Sequence, residues 1–270
     1  MEREEELRLI CEVLSSTAAQ MRGSMGNIHA ALRHLAAEQP RDGDEKYAAI
    51  LSQSYYRLLR LVDNMSDAPL LAGGQVIRGG DSDIVSWLEE LIHQAQPLAQ
   101  EQGLELTFRS AQPYHRLAMH RGLMERLVWN LLSNAMKFTS AGGRIDVSLD
   151  FRGGQVLLTV ADNGCGISRE MMDSVYERYL HPERMDPQPH GLGLGLPLCR
   201  RIAEGHGGRL LLTSREGEGT TATVALPDQV AGDIVAEEPL LLPDGGFQRA
   251  LVGLSDALSY RAFTRKNLEE

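Results

Sequence analysis

Apolar residues recur at Leu7, Cys11, Leu14, Ala18, Met21, Met25, Ile28, Leu32 and Leu35 in alternating steps of four and three. This spacing predicts one long helix with a narrow apolar seam, which needs a partner helix. Pro40-Arg41-Asp42-Gly43 breaks the pattern, and a second helical stretch follows with Tyr47, Ile50, Leu51, Ser54, Leu58, Leu61, Val62 and Met65 on roughly one face. The pair predicts an antiparallel hairpin over residues 1–72. Two helices bury little apolar area, so a symmetric four-helix bundle built by two chains is the expected solution. A hairpin packed on its own second domain is the alternative.

From residue 73 to 228 the period changes. The turn-rich segment from Asp67 to Asp81 predicts a linker and a first strand at Val76-Ile77, followed by a helix capped by Asp81 or Ser82. That helix carries Ile84, Trp87, Leu88, Leu91, Ile92 and Leu98, with its last turn broken or kinked at Pro97. Strands at Leu104 to Phe108 and Leu117 to Met119 precede a helix from about Arg121 to Phe138. Two alternating strands lie around the turns Ala141-Gly142-Gly143 and Arg152-Gly153-Gly154, and a last hairpin spans Arg209 to Ser214 and Thr220 to Leu226. The expected fold is α+β, a helix-covered mixed sheet behind a helical hairpin. Residues 229–270 form a C-terminal extension with Phe247, Leu251, Leu254, Leu258 and Ala262 at helical spacing.

Composition narrows the function classes. At 270 residues the chain holds roughly two domains. A net charge of −10, from 27 Lys and Arg against 37 Asp and Glu, argues against nucleic acid as a partner. No apolar run approaches the ~18 residues of a membrane span, and the acidic start is unlike a signal peptide, so a soluble cytoplasmic protein is expected. Cys11, Cys165 and Cys199 are scattered without metal-ligand spacing and read as reduced thiols.

Three motifs carry the chemistry. Asn130 and Asn134 lie one helical turn apart, with Lys137 on nearly the same stripe. Amide oxygens are neutral, hard donors that can complete the shell of a phosphate-bound Mg²⁺, and lysine adds a point charge against phosphate. The strand Val156 to Ala161 delivers Asp162, followed by Gly164 and Gly166. A carboxylate there can accept from the exocyclic amine of adenine and repels the carbonyl of guanine. Gly191, Gly193 and Gly195 precede a helix with Pro197 in its first turn, where bare amides attract phosphate. The spacing matches neither the dinucleotide fingerprint nor the phosphate loop. Each motif alone also fits a solvent-facing stripe, an ordinary turn or a packing loop.

In this order the motifs resemble the ATP-binding domain shared by bacterial sensor histidine kinases, type II topoisomerases, Hsp90, MutL and the mitochondrial dehydrogenase kinases, over about Val76 to Pro227. The resemblance implies ATP and Mg²⁺ as ligands. It makes Asn130, Asn134 and Lys137 the N box, with Asn134 the metal ligand. Asp162, Gly164 and Gly166 surround adenine, and Gly191, Gly193 and Gly195 lie under the phosphates. Gly217-Glu218-Gly219-Thr220 matches the closing motif, and Val175 to Leu180 followed by His181 to His190 takes the place of the Phe-box and the ATP lid, with Arg184 in reach of phosphate.

The hairpin resembles the dimerisation module of sensor histidine kinases, which implies a homodimer and a response regulator as partner. In that family the first helix reads His-Glu-Leu-Arg-Thr-Pro-Leu, whereas the best register here is Ala19-Gln20-Met21-Arg22-Gly23-Ser24-Met25. Ala19 offers no nucleophile and Gln20 no carboxylate base. His29, flanking the seam, is the alternative acceptor, and His34 faces solvent. Three activities remain open: an autokinase of two-component signal transduction, a phosphotransfer-deficient nucleotide-binding scaffold, and a serine kinase of the same superfamily acting in trans.

Overall fold

The computed structural model describes residues 25, 32, 44–66, 76–168, 195–232 and 248–264, with only the backbone of 44, 47, 61 and 64–66. The first predicted helix, with Ala19, Gln20, His29 and His34, lies outside the described residues apart from Met25 and Leu32, both helical. The predicted lid and Gly191 and Gly193 also lie outside them. The chain divides into two compact units, Met1–Gly73 with Leu242–Glu270, and Gly74–Leu241.

In the first unit α1 (Asp44–Ser66) forms where the second helix was expected. Among the described residues its buried face shares only Val62 with the one the apolar pattern selects. Ala49, Gln53, Tyr56, Leu59 and Arg60 are buried, while Ile50, Leu51 and Leu58 are 37%, 53% and 46% exposed. The C-terminal extension explains the difference, since it packs on α1 through residues whose polar side chains hydrophobicity alone does not select. Gln53 Nε2 donates to the Leu258 carbonyl at 2.7 Å, Arg57 Nε donates to the Ser255 carbonyl at 3.2 Å, and Arg60 Nε lies 3.3 Å from Asp256. The Tyr56 and Phe263 rings meet at 5.4 Å between centroids. The single helix expected over Phe247 to Phe263 is instead a short α5 (Arg249–Leu254) and a 3₁₀ turn (Tyr260–Phe263), with Leu251, Leu254, Leu258 and Phe263 buried.

The second unit begins its regular structure later than Val76-Ile77, because Val76 is 82% exposed and the first strand is β1 (Gly80–Asp83). The cap of α2 (Ile84–Glu101) is Asp83 rather than Asp81 or Ser82. Its carboxylate accepts from the Val85 and His115 amides at 3.2 and 3.1 Å and from the Ser86 hydroxyl. Burial raises the pKa of Asp83, but these hydrogen bonds outweigh it and leave the value lowered. Asp81 serves elsewhere, accepting from Arg116 and from the Ala231 amide. Pro97 neither breaks nor ends α2. Both Pro97 and His93, whose carbonyl loses its intrahelical donor, lie on the exposed side, where water can satisfy it.

After β2 (Glu105–Ser110) and β3 (Arg116–Met119) come α3 (Arg121–Phe138), β4 (Arg144–Arg152), β5 (Gln155–Asp162), α4 (Gly195–Gly205), β6 (Arg209–Arg215) and β7 (Gly219–Pro227). β1 and β3 pair antiparallel, and the main sheet runs β2-β4-β5-β7-β6. β2 and β4 are parallel and the remaining pairs antiparallel, so the sheet is mixed as expected. Ile145, Val147, Leu149, Val156, Leu158, Val160, Leu210 and Val224 alternate onto its buried face. That face meets the apolar sides of the helices, Leu88, Leu91 and Ile92 of α2, Leu127, Leu131 and Leu132 of α3, and Leu198 and Ile202 of α4.

Candidate functional site

The motifs meet α3 at its C-terminal end and near its middle. At its C-terminal end, the Phe138 carbonyl accepts from the Cys165 amide at 3.0 Å, so the glycine turn after β5 closes the helix that carries Asn134 and Lys137. Gly164 sits so close to Phe138 that a Cβ would overlap the carbonyl oxygen. The Asn163 carboxamide oxygen accepts from the Arg144 amide at 2.7 Å and fixes the same turn to β4. Two motifs far apart in sequence are thereby held together at the C-terminal end of the central strand β5.

Asp162 ends β5 opposite Thr220 of β7. Its Oδ1 accepts from the Gly164 amide at 2.9 Å and the Thr220 amide at 3.2 Å. Burial raises the Asp162 pKa above the usual carboxylate range, and the two amide donors offset this only in part. Oδ1 thus has two backbone donors, while Oδ2 has none among the described residues. Gly219, at φ +107°, allows β7 to cross against the Asp162 carbonyl, a place where a side chain has no room.

Along α3, Asn130 is 6% exposed, and its Nδ2 donates to the Arg126 carbonyl at 3.0 Å. This directs Oδ1 toward Gly195, the first residue of α4, where a Cβ would lie 3.1 Å from that oxygen. Asn134 and Lys137 are half-buried, and Lys137 Nζ lies 5.2 Å from the centroid of the Phe138 ring. At the other end, His206 of the turn after α4 locks onto the start of α3. The His120 amide can only donate, so His206 Nε2 accepts from it at 3.1 Å, and Nδ1 carries the proton toward the Ile202 carbonyl at 2.7 Å. Burial lowers the His206 pKa and keeps it in this neutral form.

Residues 120–230 match the family described as histidine kinase-, DNA gyrase B- and HSP90-like ATPase. The chain therefore carries a histidine-kinase-type ATPase domain. It is 30% identical over 198 residues to an uncharacterized sensor-like histidine kinase of Rhizobium meliloti, covering 71% of this chain and 37% of that protein. It is 30% identical over 194 residues to the histidine protein kinase DivJ of Caulobacter vibrioides, covering 71% of this chain and 32% of that one. The chain thus spans about a third of the length of each relative. Full-length ShkA superposes with a TM-score of 0.65 at 24% identity, covering 82% of this chain and 46% of that one, which shows a common fold. Together these comparisons support a sensor histidine kinase catalytic core.

Within this ATPase domain Asn130 lies against Gly195, Asp162 holds Gly164 and Thr220 through its carboxylate, and Gly166 lies against the Arg215 carbonyl. Gly191 and Gly193 lie outside the described residues. Sequence reading missed three participants: the Phe138 carbonyl, Asn163 and Ser214. Ser214 was findable, because the turn at Gly217 sets the β6–β7 register and places Ser214 opposite Thr220.

Proposed function

We propose that this chain binds Mg-ATP beside α3, the Asp162 turn and the start of α4, and belongs to two-component signal transduction as a phosphoryl-transfer protein. The half-buried Asp162 carboxylate carries the reading. With Oδ1 taken by backbone amides, Oδ2 offers an acceptor that suits the 6-amino group of adenine. ShkA, the fold neighbour, was solved with AMPPNP, in keeping with this reading.

The residues present fit the nucleotide and its metal. Among the described residues no group of three or more His, Cys, Asp or Glu could hold a metal ion. The donor set instead suits an ion carried by phosphate, with Asn134 as its protein ligand and Asn130 holding its carboxamide beside the first turn of α4. Mg²⁺ neutralises phosphate charge during transfer. Lys137 supplies a further positive charge, and Gly191, Gly193 and Gly195 let the chain approach the phosphates closely.

A homodimer through residues 1–72 is supported by Ile50, Leu51 and Leu58, which leave one side of α1 apolar and exposed. A response regulator is the expected partner. Among the described residues no helix is long and apolar enough to cross a membrane.

Ala19 and Gln20 at the expected acceptor and base favour a second reading, a nucleotide-binding dimeric scaffold without phosphotransfer. Incubation with γ-labelled ATP and Mg²⁺ separates the two. An acid-labile label lost in His29→Ala supports the autokinase and defeats the scaffold. Nucleotide binding with no label on the chain defeats the autokinase, and label found only on an added protein at serine identifies a kinase acting in trans.

A further inference from the structure

Ser214 sits at a junction that the proposed binding of ATP does not by itself require. At one level of the sheet, Thr220 of β7 stands between Asp162 of β5 and Ser214 of β6. The Ser214 oxygen has three polar neighbours: the Ile167 amide at 2.8 Å, the Gly219 carbonyl at 2.9 Å and the Thr220 hydroxyl at 2.8 Å. One proton arrangement satisfies all three. The Ile167 amide can only donate, so it takes one lone pair of Ser214. The Gly219 carbonyl can only accept, so it takes the single hydroxyl proton of Ser214. The remaining lone pair of Ser214 then faces the Thr220 oxygen, and two oxygens at that separation repel unless a proton lies between them. That proton must come from Thr220.

We propose that Ser214 is a positioning residue: by engaging the Thr220 proton, it makes Thr220 a hydrogen-bond acceptor toward the base and sets a preference for 6-amino over 6-oxo purines. This deepens the Asp162 assignment and rests on it. Asp162 Oδ2 and Thr220 Oγ1, on residues paired across β5 and β7, are then two acceptors at one level of the sheet. A base with an amino group at the 6-position meets them favourably, directly or through water. A 6-oxo base brings a third acceptor. A hydroxyl free to rotate would accommodate either base, so the discrimination depends on Ser214 without contact between Ser214 and the nucleotide.

The test is calorimetric titration of the full chain with Mg-ATP and Mg-ITP, which differ in the 6-position and the adjacent ring proton. Wild type is expected to prefer ATP. Ser214→Ala frees the Thr220 hydroxyl to donate, so the ATP-to-ITP preference falls about tenfold, the effect of one hydrogen bond gained or lost. Ser214→Thr keeps the hydroxyl on a strand that tolerates β-branching and is expected to keep the wild-type preference. Parallel weakening of both nucleotides in Ser214→Ala, with their ratio unchanged, overturns the proposal and reduces Ser214 to a strut. If Ser214→Ala does not fold, Thr220→Val removes the same acceptor, and an unchanged ratio there overturns the proposal equally. Failure of wild type to bind either nucleotide defeats the ATP-site assignment itself, and the inference with it.

Discussion

Replacing Asp162 by asparagine isolates the proposed adenine contact, because the substitution preserves shape and one of the two oxygens. Oδ1, which accepts from the Gly164 and Thr220 amides at 2.9 and 3.2 Å, has an equivalent in asparagine. Oδ2 becomes an amino group, which cannot accept and opposes the adenine amine. Losing a hydrogen bond to a charged acceptor costs about 1.5–3 kcal/mol, so ATP or ADP should bind roughly 10- to 150-fold more weakly. Stability should move the other way. The folded-state pKa of Asp162 is raised by burial, so ionisation is less favourable in the folded chain than in the unfolded one. The charge therefore costs stability at neutral pH, and that cost fades as the pH falls through the raised folded value toward the unfolded one. Asp162→Asn removes it, and the melting temperature without nucleotide should hold steady or rise. In wild type, nucleotide affinity should fall as acid protonates Asp162, and this slope should flatten in the variant. Isothermal titration with ADP and differential scanning fluorimetry read both quantities. A dissociation constant within about threefold of wild type refutes the contact. A drop of several degrees in melting temperature shows instead that the carboxylate holds the turn together.

Two further substitutions test the packing that builds the site and the first unit. Gly164→Ala would drive a Cβ into the Phe138 carbonyl oxygen, where backbone must shift; a loss of about 1–3 kcal/mol in denaturant unfolding is expected, with weaker nucleotide binding. Wild-type stability in that variant would mean that the turn and α3 are not held together as described. Phe263→Ala removes a ring that is 1% exposed against Tyr56 and should cost about 3–5 kcal/mol locally. Hydrogen exchange should then accelerate across residues 248–264 and along the α1 face bearing Gln53 and Arg57, and unchanged protection there rejects the packing.

How legible each part was depends on whether its physics is local. Helix α3 and the strand hairpins follow from periodicity and glycine turns, and their described bounds fall within a few residues of the pattern. The strand that ends at Asp162 and the helix that starts at Gly195 were also readable, since strand alternation and the glycines beside them mark both bounds. The misreadings occur where a remote partner decides. On α1 the apolar pattern selected Ile50, Leu51 and Leu58, yet Gln53, Arg57 and Arg60 meet the C-terminal segment, more than 190 residues away in sequence for two of the hydrogen-bonded pairs. Asp83 outcompetes Asp81 and Ser82 as a cap because the backbone amide of His115, just before β3, donates to the same carboxylate. The hairpin register places Ser214 opposite Thr220, but its three partners come together only when β6, β7 and the glycine turn meet. The same dependence gives the two sides of α1 different meanings. A side covered through polar groups of its own chain has its partner, whereas Ile50, Leu51 and Leu58 stay exposed around Ser54, on the side that the apolar pattern selected. If the proposed dimer forms through residues 1–72, this is the part of α1 that a second chain would bury.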